Sequence, residues 1–203
     1  MADTPVNNGV EVFKVSPVLS KKIIYFIQPT WLPVGSKATM PAWTTEGDTD
    51  YAGDSIDEQT KMGRLILPST NEDSIELTQY MAPGDPSVGY IKKAKHDGMQ
   101  VKAWRVVLDD STAVAEGDDD KVKAYQAEFG YGVVDELELD DSDDLVEANY
   151  TLNILDKLKD GTFPLSADDL AMLEQIYEYE RPGETTGDYG VQSAEDTDTD
   201  PKQ

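Results

Sequence analysis

The chain has 203 residues, no cysteine and a formal net charge of −24, from 41 acidic and 17 basic residues. This length suits one sizeable domain with terminal segments, and the negative charge disfavours tight binding to nucleic acid or to an anionic membrane. The missing cysteine excludes a disulfide framework and a thiolate metal site. The N-terminal residues lack a basic start followed by an apolar run, and no stretch reaches the length of a membrane span. We therefore expect no secretion signal and no membrane contact.

Residues 1–20 predict an N-terminal arm, because their short apolar piece lies between prolines and is too short to hold a core. The folded domain is expected over residues 21–160. Its first strand is predicted at residues 23–27, which are apolar at every position and should be covered on both faces.

Residues 29–59 contain three prolines, three glycines and no clear period, so they predict a long loop. Its large aromatic side chains either pack on the domain's own core or dock on a neighbouring molecule, and the sequence leaves both interpretations open. Asp48, Asp50 and Gly53 match the first, third and sixth positions of a calcium loop, but the twelfth position is Gln59 instead of a bidentate glutamate. We expect no designed metal site and leave adventitious binding of a divalent ion open.

Residues 61–67 and 74–81 predict two strands paired around a polar turn. A helix is predicted over residues 85–97, with Asp85 as N-cap, Pro86 as the first helical residue and Gly98 after its end. The next strand is expected at residues 100–108. The basic face of the helix is expected to be solvated.

The centre of the chain, residues 123–155, predicts two long antiparallel strands joined by an acidic turn. Apolar and polar residues alternate along both strands, and Gly130 and Gly132 predict a bend or bulge near the middle of the first. We expect the face with Tyr125, Phe129 and Tyr131 to be buried together with Tyr150, Leu152 and Ile154 of the second strand. The polar face is either simply solvated or lines something. After this hairpin, residues 161–181 predict a helical extension starting with Ser166 as its cap, and residues 182–203 predict a disordered acidic tail.

Catalytic chemistry has little to be built from in this sequence. His96 is the single histidine, which removes a histidine-based triad and a multi-histidine metal site, and we expect it at the surface. No dinucleotide or phosphate-binding loop is present. We expect no enzyme activity, no catalytic residue and no cofactor.

The order of elements resembles the major tail proteins, or tail tube proteins, of long, non-contractile-tailed bacteriophages (siphovirus type). The likeness covers about residues 10–160 and is best carried by Met62-Gly63-Arg64-Leu65-Ile66, by residues 88–94 with 100–105, and by Tyr150-Thr151-Leu152. It implies a mainly β fold with one or two short helices, an antiparallel β-sandwich of the tail-tube type. It also implies hexameric rings stacked into a tube around a tape-measure protein, through which viral DNA later passes without tight binding.

Further expectations follow from this resemblance. The protein would be part of the virion tail, assembled in the host cytoplasm, and would also contact tail terminator and distal tail proteins. The acidic residues expected to face the lumen are Glu128, Glu136, Glu138 and Glu147. The residues expected to contact neighbouring subunits are Val10, Val12, Phe13, Trp31, Trp43 and Tyr51. The alternative is a monomeric acidic β-sandwich that binds a small ligand or carbohydrate through Trp31, Trp43 and Tyr51.

Overall fold

Antiparallel strands make up most of the regular structure in a computed structural model that describes residues 17–116, 122–142 and 144–174. The strands are β1 (Ile23–Pro29), β2 (Thr44–Asp50), β3 (Gly53–Thr60), β4 (Gly63–Asn71), β5 (Ser74–Tyr80), β6 (Gln100–Val107), β7 (Val114–Glu116), β8 (Val122–Asp140), β9 (Glu147–Ile154) and β10 (Lys159–Ser166). The helices are α1 (Ser87–Asp97), α2 (Ala167–Glu174) and a short 3-10 turn at Ser20–Lys22. Among the described residues, 17–114, 124–142 and 144–163 form one compact unit, and 115–116, 122–123 and 164–174 belong to a second. The prediction of a mainly β, antiparallel fold is confirmed.

The main sheet of the first unit runs in the order β1-β6-β8-β9-β5-β2, and each of these pairs is antiparallel. The sheet curls far enough for its two end strands to touch, because the hydroxyl of Tyr25 on β1 lies 3.1 Å from that of Thr49 on β2. Gly47 makes this approach possible. A Cβ at that position would lie 2.3 Å from the ring of Tyr25, which no side chain can tolerate.

The core lies on one face of the curled sheet, under helix α1. Ile27, Ile75, Ile91, Val101 and Leu152 are fully buried there. Helix α1 begins at Ser87, one residue later than predicted, so Pro86 is its N-cap and Asp85 precedes the cap. The Asp85 carboxylate accepts the backbone N–H of Ser87 at 2.8 Å. It ends as predicted at Gly98, whose φ of 63° is left-handed and whose N–H bonds the carbonyl of Ala94.

The other face of β1, β6 and β8 carries an aromatic cluster. Phe26, Trp104 and Phe129 are direct cross-strand neighbours, and Phe163 stacks on Phe26 with ring centroids 4.6 Å apart. Strand β1 is therefore covered on both faces, as the apolar run at 23–27 predicts.

Strand β8 continues without a break for 19 residues and carries one extra residue. Val134 pairs with Leu152 and Glu136 with Thr151, so Asp135 has no partner on β9 in this register. The predicted bulge therefore exists but lies at Asp135, beyond Gly130 and Gly132. These glycines instead face the core, where a Cβ would lie 2.7 Å from Ile154 and 2.9 Å from Leu152, respectively.

The bulge changes which residues share a face, and the prediction of one continuous apolar face on β8 is wrong. Before the bulge, the odd-numbered Phe129 and Tyr131 lie on the aromatic face, opposite to the core. Beyond the bulge, the odd-numbered Leu137 pairs with Tyr150 and lies on the core side. One inserted residue reverses the alternation along a strand.

Two further predictions are wrong. Residues 29–59 are not a loop, because they contain β2 and most of β3. The predicted strands at 61–67 and 74–81 do not pair with each other, because β4 pairs with β3 in a separate two-stranded hairpin. Strand β5 pairs instead with β2 and β9. The segment lacks a strand pattern because β2 has no large apolar residue, and because every residue of β3 is exposed. Their pairing rests on backbone hydrogen bonds, which periodicity does not report.

In the second unit, helix α2 starts with the predicted capping box. The Ser166 hydroxyl donates to Asp169 at 2.6 Å, and the Asp169 N–H donates back to the Ser166 oxygen at 3.2 Å. The arm residues Val10, Val12 and Phe13 and the predicted tail at 182–203 lie outside the described residues.

Candidate functional site: an acidic sheet face, a projecting hairpin and an apolar rim

The outer face of four neighbouring strands is acidic. These strands are β2, β5, β9 and the part of β8 beyond its bulge. Their register aligns side chains in rows across the sheet: Asp48, Glu76, Thr151 and Glu136 form one row, and Glu46, Thr78, Asn149 and Glu138 form the next. No lysine or arginine interrupts these rows. The underside of the same strands carries Ile75, Leu77, Tyr150 and Leu152, all buried. We name this outer surface the acidic face.

Three of the four glutamates predicted to share a surface do so. Glu136, Glu138 and Glu147 lie on the acidic face. Glu128 does not, because it precedes the bulge and its side chain is on the opposite side of β8, paired with Arg105 at 3.0 Å. Strict alternation along β8 placed it with the others, and no sequence signal marks the inserted residue.

The hairpin of β3 and β4 has no buried residue along either strand. It still carries large apolar side chains: Ile56, Leu65 and Leu67 lie on one of its faces and are about half exposed, and Met62 at the tip is 100% exposed. Arg64 forms an ion pair with Asp57 across the hairpin, and this pairing holds the pKa of the Asp57 carboxyl below its usual value. We name this element the exposed hairpin. Several large apolar side chains exposed together on one element are typical of a surface that contacts another molecule.

A second exposed apolar group lies at the opposite end of the four strands, and we name it the apolar rim. Trp43 precedes β2, Met81 follows β5, and Leu145 and Val146 precede β9. Backbone hydrogen bonds join them, since the N–H of Tyr80 donates to the Trp43 carbonyl at 3.2 Å and that of Met81 to Val146 at 2.9 Å. Trp43 is 72% exposed. Its backbone φ of +51° is left-handed, a conformation that bulky residues rarely adopt.

A buried polar network holds the segment that displays Trp43. Asp85 accepts the N–H of Ala42 at 3.0 Å, the Gln79 amide at 3.1 Å and the Ser87 hydroxyl at 2.6 Å. Tyr150 donates its hydroxyl to Gln79 at 3.1 Å, and burial raises the pKa of Tyr150 far above its usual value. The turn before Trp43 is thus connected through Asp85 to β5, α1 and β9.

The three aromatic residues of the predicted long loop have different surroundings. Trp31 packs edge-on against Tyr90 of α1, and the Lys93 ammonium lies 5.1 Å from its ring centre, so the Trp31 ring packs on helix α1 of the same subunit. Tyr51 donates a hydrogen bond of 2.6 Å to Glu128 on β8, and Trp43 lies on the apolar rim. The residues expected to form a ligand site therefore contact three different parts of the fold.

Two hollows in the first unit bear on small-molecule binding. One of about 610 Å³ is lined by residues 105, 107, 126–128 and 160–162, and none of the three aromatic residues lines it. The other lies on the acidic face between Glu76, Glu136 and Glu138 and measures about 50 Å³. This is far below the several hundred Å³ of a typical ligand pocket.

Clusters of metal-ligating side chains and helices able to span a membrane are both absent from the part of the chain that the structure describes. It contains no group of three or more metal-ligating side chains, and the residues of the near-miss calcium loop lie on β2 and β3 instead of a loop. None of its helices has the length and apolar character needed to cross a membrane. His96 is exposed, as predicted.

Comparison with known proteins gives a consistent result. A family model described as phage tail tube protein matches residues 18–160. The tail tube protein gp17.1* of Bacillus phage SPP1 is 30% identical over 175 residues, which cover 85% of this chain and 63% of that protein. The chain thus spans less than two thirds of the length of this curated relative.

Solved structures show the same fold. The SPP1 tail tube structure, determined by solid-state NMR and cryo-electron microscopy, matches with a TM-score of 0.59 and 27% identity, covering 85% of this chain and 96% of that one. The tail of an empty GTA particle matches with a TM-score of 0.51 and 10% identity, covering 70% and 98%.

Proposed function

Because the chain belongs to the phage tail tube protein family, we propose that it is the structural subunit of the tail tube of a long, non-contractile-tailed bacteriophage, with no catalytic role. The observation that carries this proposal is the acidic face, a four-stranded surface with a buried apolar underside and no basic residue in its rows. Such a surface suits the wall of a conduit, because it repels phosphates that must slide past it.

The four strands also suit a closed ring. Strand β2 ends the sheet order, and β6 stops pairing with β8 at Val133, so the edge of β8 over residues 134–140 lies beyond β6. We expect β2 of one subunit to meet this edge of the next. Six subunits with four strands each, spaced at about 4.8 Å and tilted by about 40°, would close a barrel about 45 to 50 Å across its backbone. This is wide enough for duplex DNA with side chains on the wall.

We place Glu136, Glu138 and Glu147 toward the lumen, together with Asp48 and Glu76. Glu128 leaves the proposed lumen set because it is paired with Arg105 on the opposite side of β8. In a subunit with a net charge of −24, such a lumen would let both a tape-measure protein and the viral DNA pass without tight phosphate contacts.

Contacts between stacked rings are assigned to the exposed hairpin and the apolar rim. They lie at opposite ends of β2 and β5, so a hairpin from one subunit would reach the rim of a subunit in the next ring, and the contact would repeat along the tube. The charges fit: the tip carries Lys61 beside the fully exposed Met62, and the rim is bordered by Asp140 and Glu147. Of the residues predicted to contact neighbours, Trp43 belongs to this rim.

The remaining partners follow from the same role. A tube of stacked rings would enclose a tape-measure protein and end at tail terminator and distal tail proteins, in a virion assembled in the host cytoplasm. The family match favours this role over the alternative of a monomeric module for a small ligand or carbohydrate.

Electron microscopy of the purified protein tests the proposal. We expect rings or tubes at high protein concentration. A variant in which residues 53–71 are replaced by a short glycine-serine linker should stay folded and form no tubes, because it loses one half of the contact between rings. A wild-type protein that stays monomeric at all concentrations and salt conditions would contradict the proposed function.

A further inference from the structure

Packing does not determine the direction in which the exposed hairpin leaves the sheet. Every residue of β3 and β4 is exposed, so no buried side chain fixes the hairpin against the rest of the first unit. Its direction must come from the two chain segments that join it to β2 and β5.

The segment toward β5 is fixed by a buried residue. Asp73 is 6% exposed, its carboxylate accepts the N–H of Leu158 at 2.7 Å, and its carbonyl accepts the N–H of Ile154 at 2.8 Å. The segment toward β2 consists of Tyr51 and Ala52. There, the Ala52 carbonyl accepts the N–H of Glu72 at 2.9 Å, which ties the two segments to each other. The attachment to β8 is made by a side chain: the Tyr51 hydroxyl donates to Glu128 at 2.6 Å.

An ion pair with Arg105 fixes the position of the Glu128 carboxylate that accepts this bond. Glu128 lies directly opposite Arg105 in the β6–β8 register, and one carboxylate oxygen accepts from the guanidinium at 3.0 Å while the other accepts from Tyr51. Both side chains of the ion pair are about one fifth exposed, so water screens it only partly. Tyr51 itself is 58% exposed, which leaves its ring free to move away if the bond breaks.

We propose that Tyr51, Glu128 and Arg105 form a clamp that presets the direction of the exposed hairpin, with Tyr51 as the positioning residue for contact between stacked subunits. The proposal rests on the proposed function of the hairpin. An element already held in its bound direction loses less conformational freedom on docking, so the clamp lowers the protein concentration at which tubes form. It does so without contributing a contact of its own to the neighbouring subunit.

Tyr51→Phe removes the hydroxyl and leaves the ring. The matched control is Tyr131→Phe: Tyr131 is 40% exposed and lies on the same strand as Glu128, and its hydroxyl makes no hydrogen bond within the described part of the chain. Because the chain has no cysteine, Met62→Cys at the hairpin tip and Lys92→Cys on α1 give two unique spin-label sites. Pulsed electron paramagnetic resonance on unassembled protein then gives the distribution of tip-to-helix distances.

In the labelled background, Tyr51→Phe should widen this distribution and Tyr131→Phe should leave it unchanged. In the unlabelled protein, Tyr51→Phe should raise the critical concentration for tube formation by about three- to tenfold, the value of one hydrogen bond to a charged acceptor at a partly exposed site. Glu128→Gln should have a similar effect, and the double variant should be less impaired than two independent effects would make it, because both act through one bond.

An unchanged distance distribution in Tyr51→Phe would overturn the clamp whatever the protein assembles into. A wider distribution with an unchanged critical concentration would overturn the positioning role. A wild-type protein that never assembles would instead contradict the proposed function, while a wider distribution in that same protein would still support the clamp.

Discussion

The acidic face and the exposed hairpin are both antiparallel, both rich in carboxylates and adjacent in sequence, yet they use apolar residues in opposite ways. Under the acidic face, Ile75, Leu77 and Leu152 are fully buried. In the hairpin, Ile56, Leu65 and Leu67 share one face and remain about half exposed. An isolated two-stranded hairpin is marginally stable at best, so the exposed hairpin adds little to the stability of the subunit. We infer that the two regions have different roles. The buried side chains of the sheet stabilise the subunit, whereas the exposed apolar side chains of the hairpin are the ones that we propose contact a neighbouring subunit.

Leucine truncation in the two regions should separate them most clearly. Leu152→Ala removes a fully buried side chain that packs against Gly132, and we expect it to lower the free energy of unfolding by about 3 kcal/mol. Leu65→Ala in the hairpin should change it by less than about 0.5 kcal/mol. Urea unfolding of the unassembled proteins measures both. Similar losses in the two variants would contradict the division of roles.

Asp85→Ala should have the next largest effect, because it removes the acceptor shared by Ala42, Gln79 and Ser87. Gln79 is fully buried and would lose a partner, and α1 would lose the bond at its start, so we expect a loss of about 2 kcal/mol. Asp54→Ala, on the exposed hairpin, is the matched control and should be neutral in the same urea unfolding measurement. A neutral Asp85→Ala would mean that the network does not hold the turn before Trp43.

Charge reversal distinguishes the acidic face from other exposed carboxylates. Glu136→Lys with Glu138→Lys adds two positive charges per subunit, or twelve in a ring of six, and phosphates would bind where they should slide. Tubes should form, but DNA delivery should fall, most strongly at low salt, where screening is weakest. Asp97→Lys with Asp160→Lys makes the same change in net charge away from the four strands and should deliver normally. Equal delivery by both variants, in intact tubes, would remove these glutamates from the lumen.

The smallest expected effect is the titration of Tyr51 at the base of the hairpin. Partial burial and the bond to Glu128 raise its pKa to about 12, compared with about 10 for a free tyrosine. A raised pKa means that this contribution to stability is complete below about pH 10 and is lost as the pH rises through about 12. Carbon-13 NMR of labelled tyrosine rings, assigned with Tyr51→Phe, measures it. Titration at the free value would show that the bond to Glu128 does not form in solution.

Much of the fold could be predicted where burial imposes a period. The tall hairpin of β8 and β9, the fully covered β1, and the end of α1 at Gly98 all leave such a pattern, since each buries a defined face or uses a residue with one structural role. Strands β2 and β3 could not be found this way. Gly47 is needed for its lack of a side chain beneath Tyr25, and Ile56 is exposed, so neither strand has a buried face that the sequence could report.

The candidate site was partly predictable for a related reason. Glu136, Glu138 and Glu147 share one face, as alternation predicts, because alternation holds beyond the bulge of β8 and along β9. Glu128 was misplaced because alternation does not hold across the bulge. The sequence singles out Trp43 by its size outside any periodic element, but its left-handed backbone and its neighbours on the rim depend on tertiary contacts between residues far apart in sequence.

The unpartnered Asp135 gives the long strand β8 one position where a residue can be exchanged or lost without changing which side chains face the core. Replacing Asp135 by most other residues should be tolerated, since it has no partner on β9. Deleting it would leave Glu136 opposite Thr151 and Leu137 opposite Tyr150, so only the local bulge would be lost. In an evolving viral gene, an in-frame codon loss at Asp135 should therefore be tolerated, whereas the same loss at Leu137 would place Glu138 opposite Tyr150, on the core side.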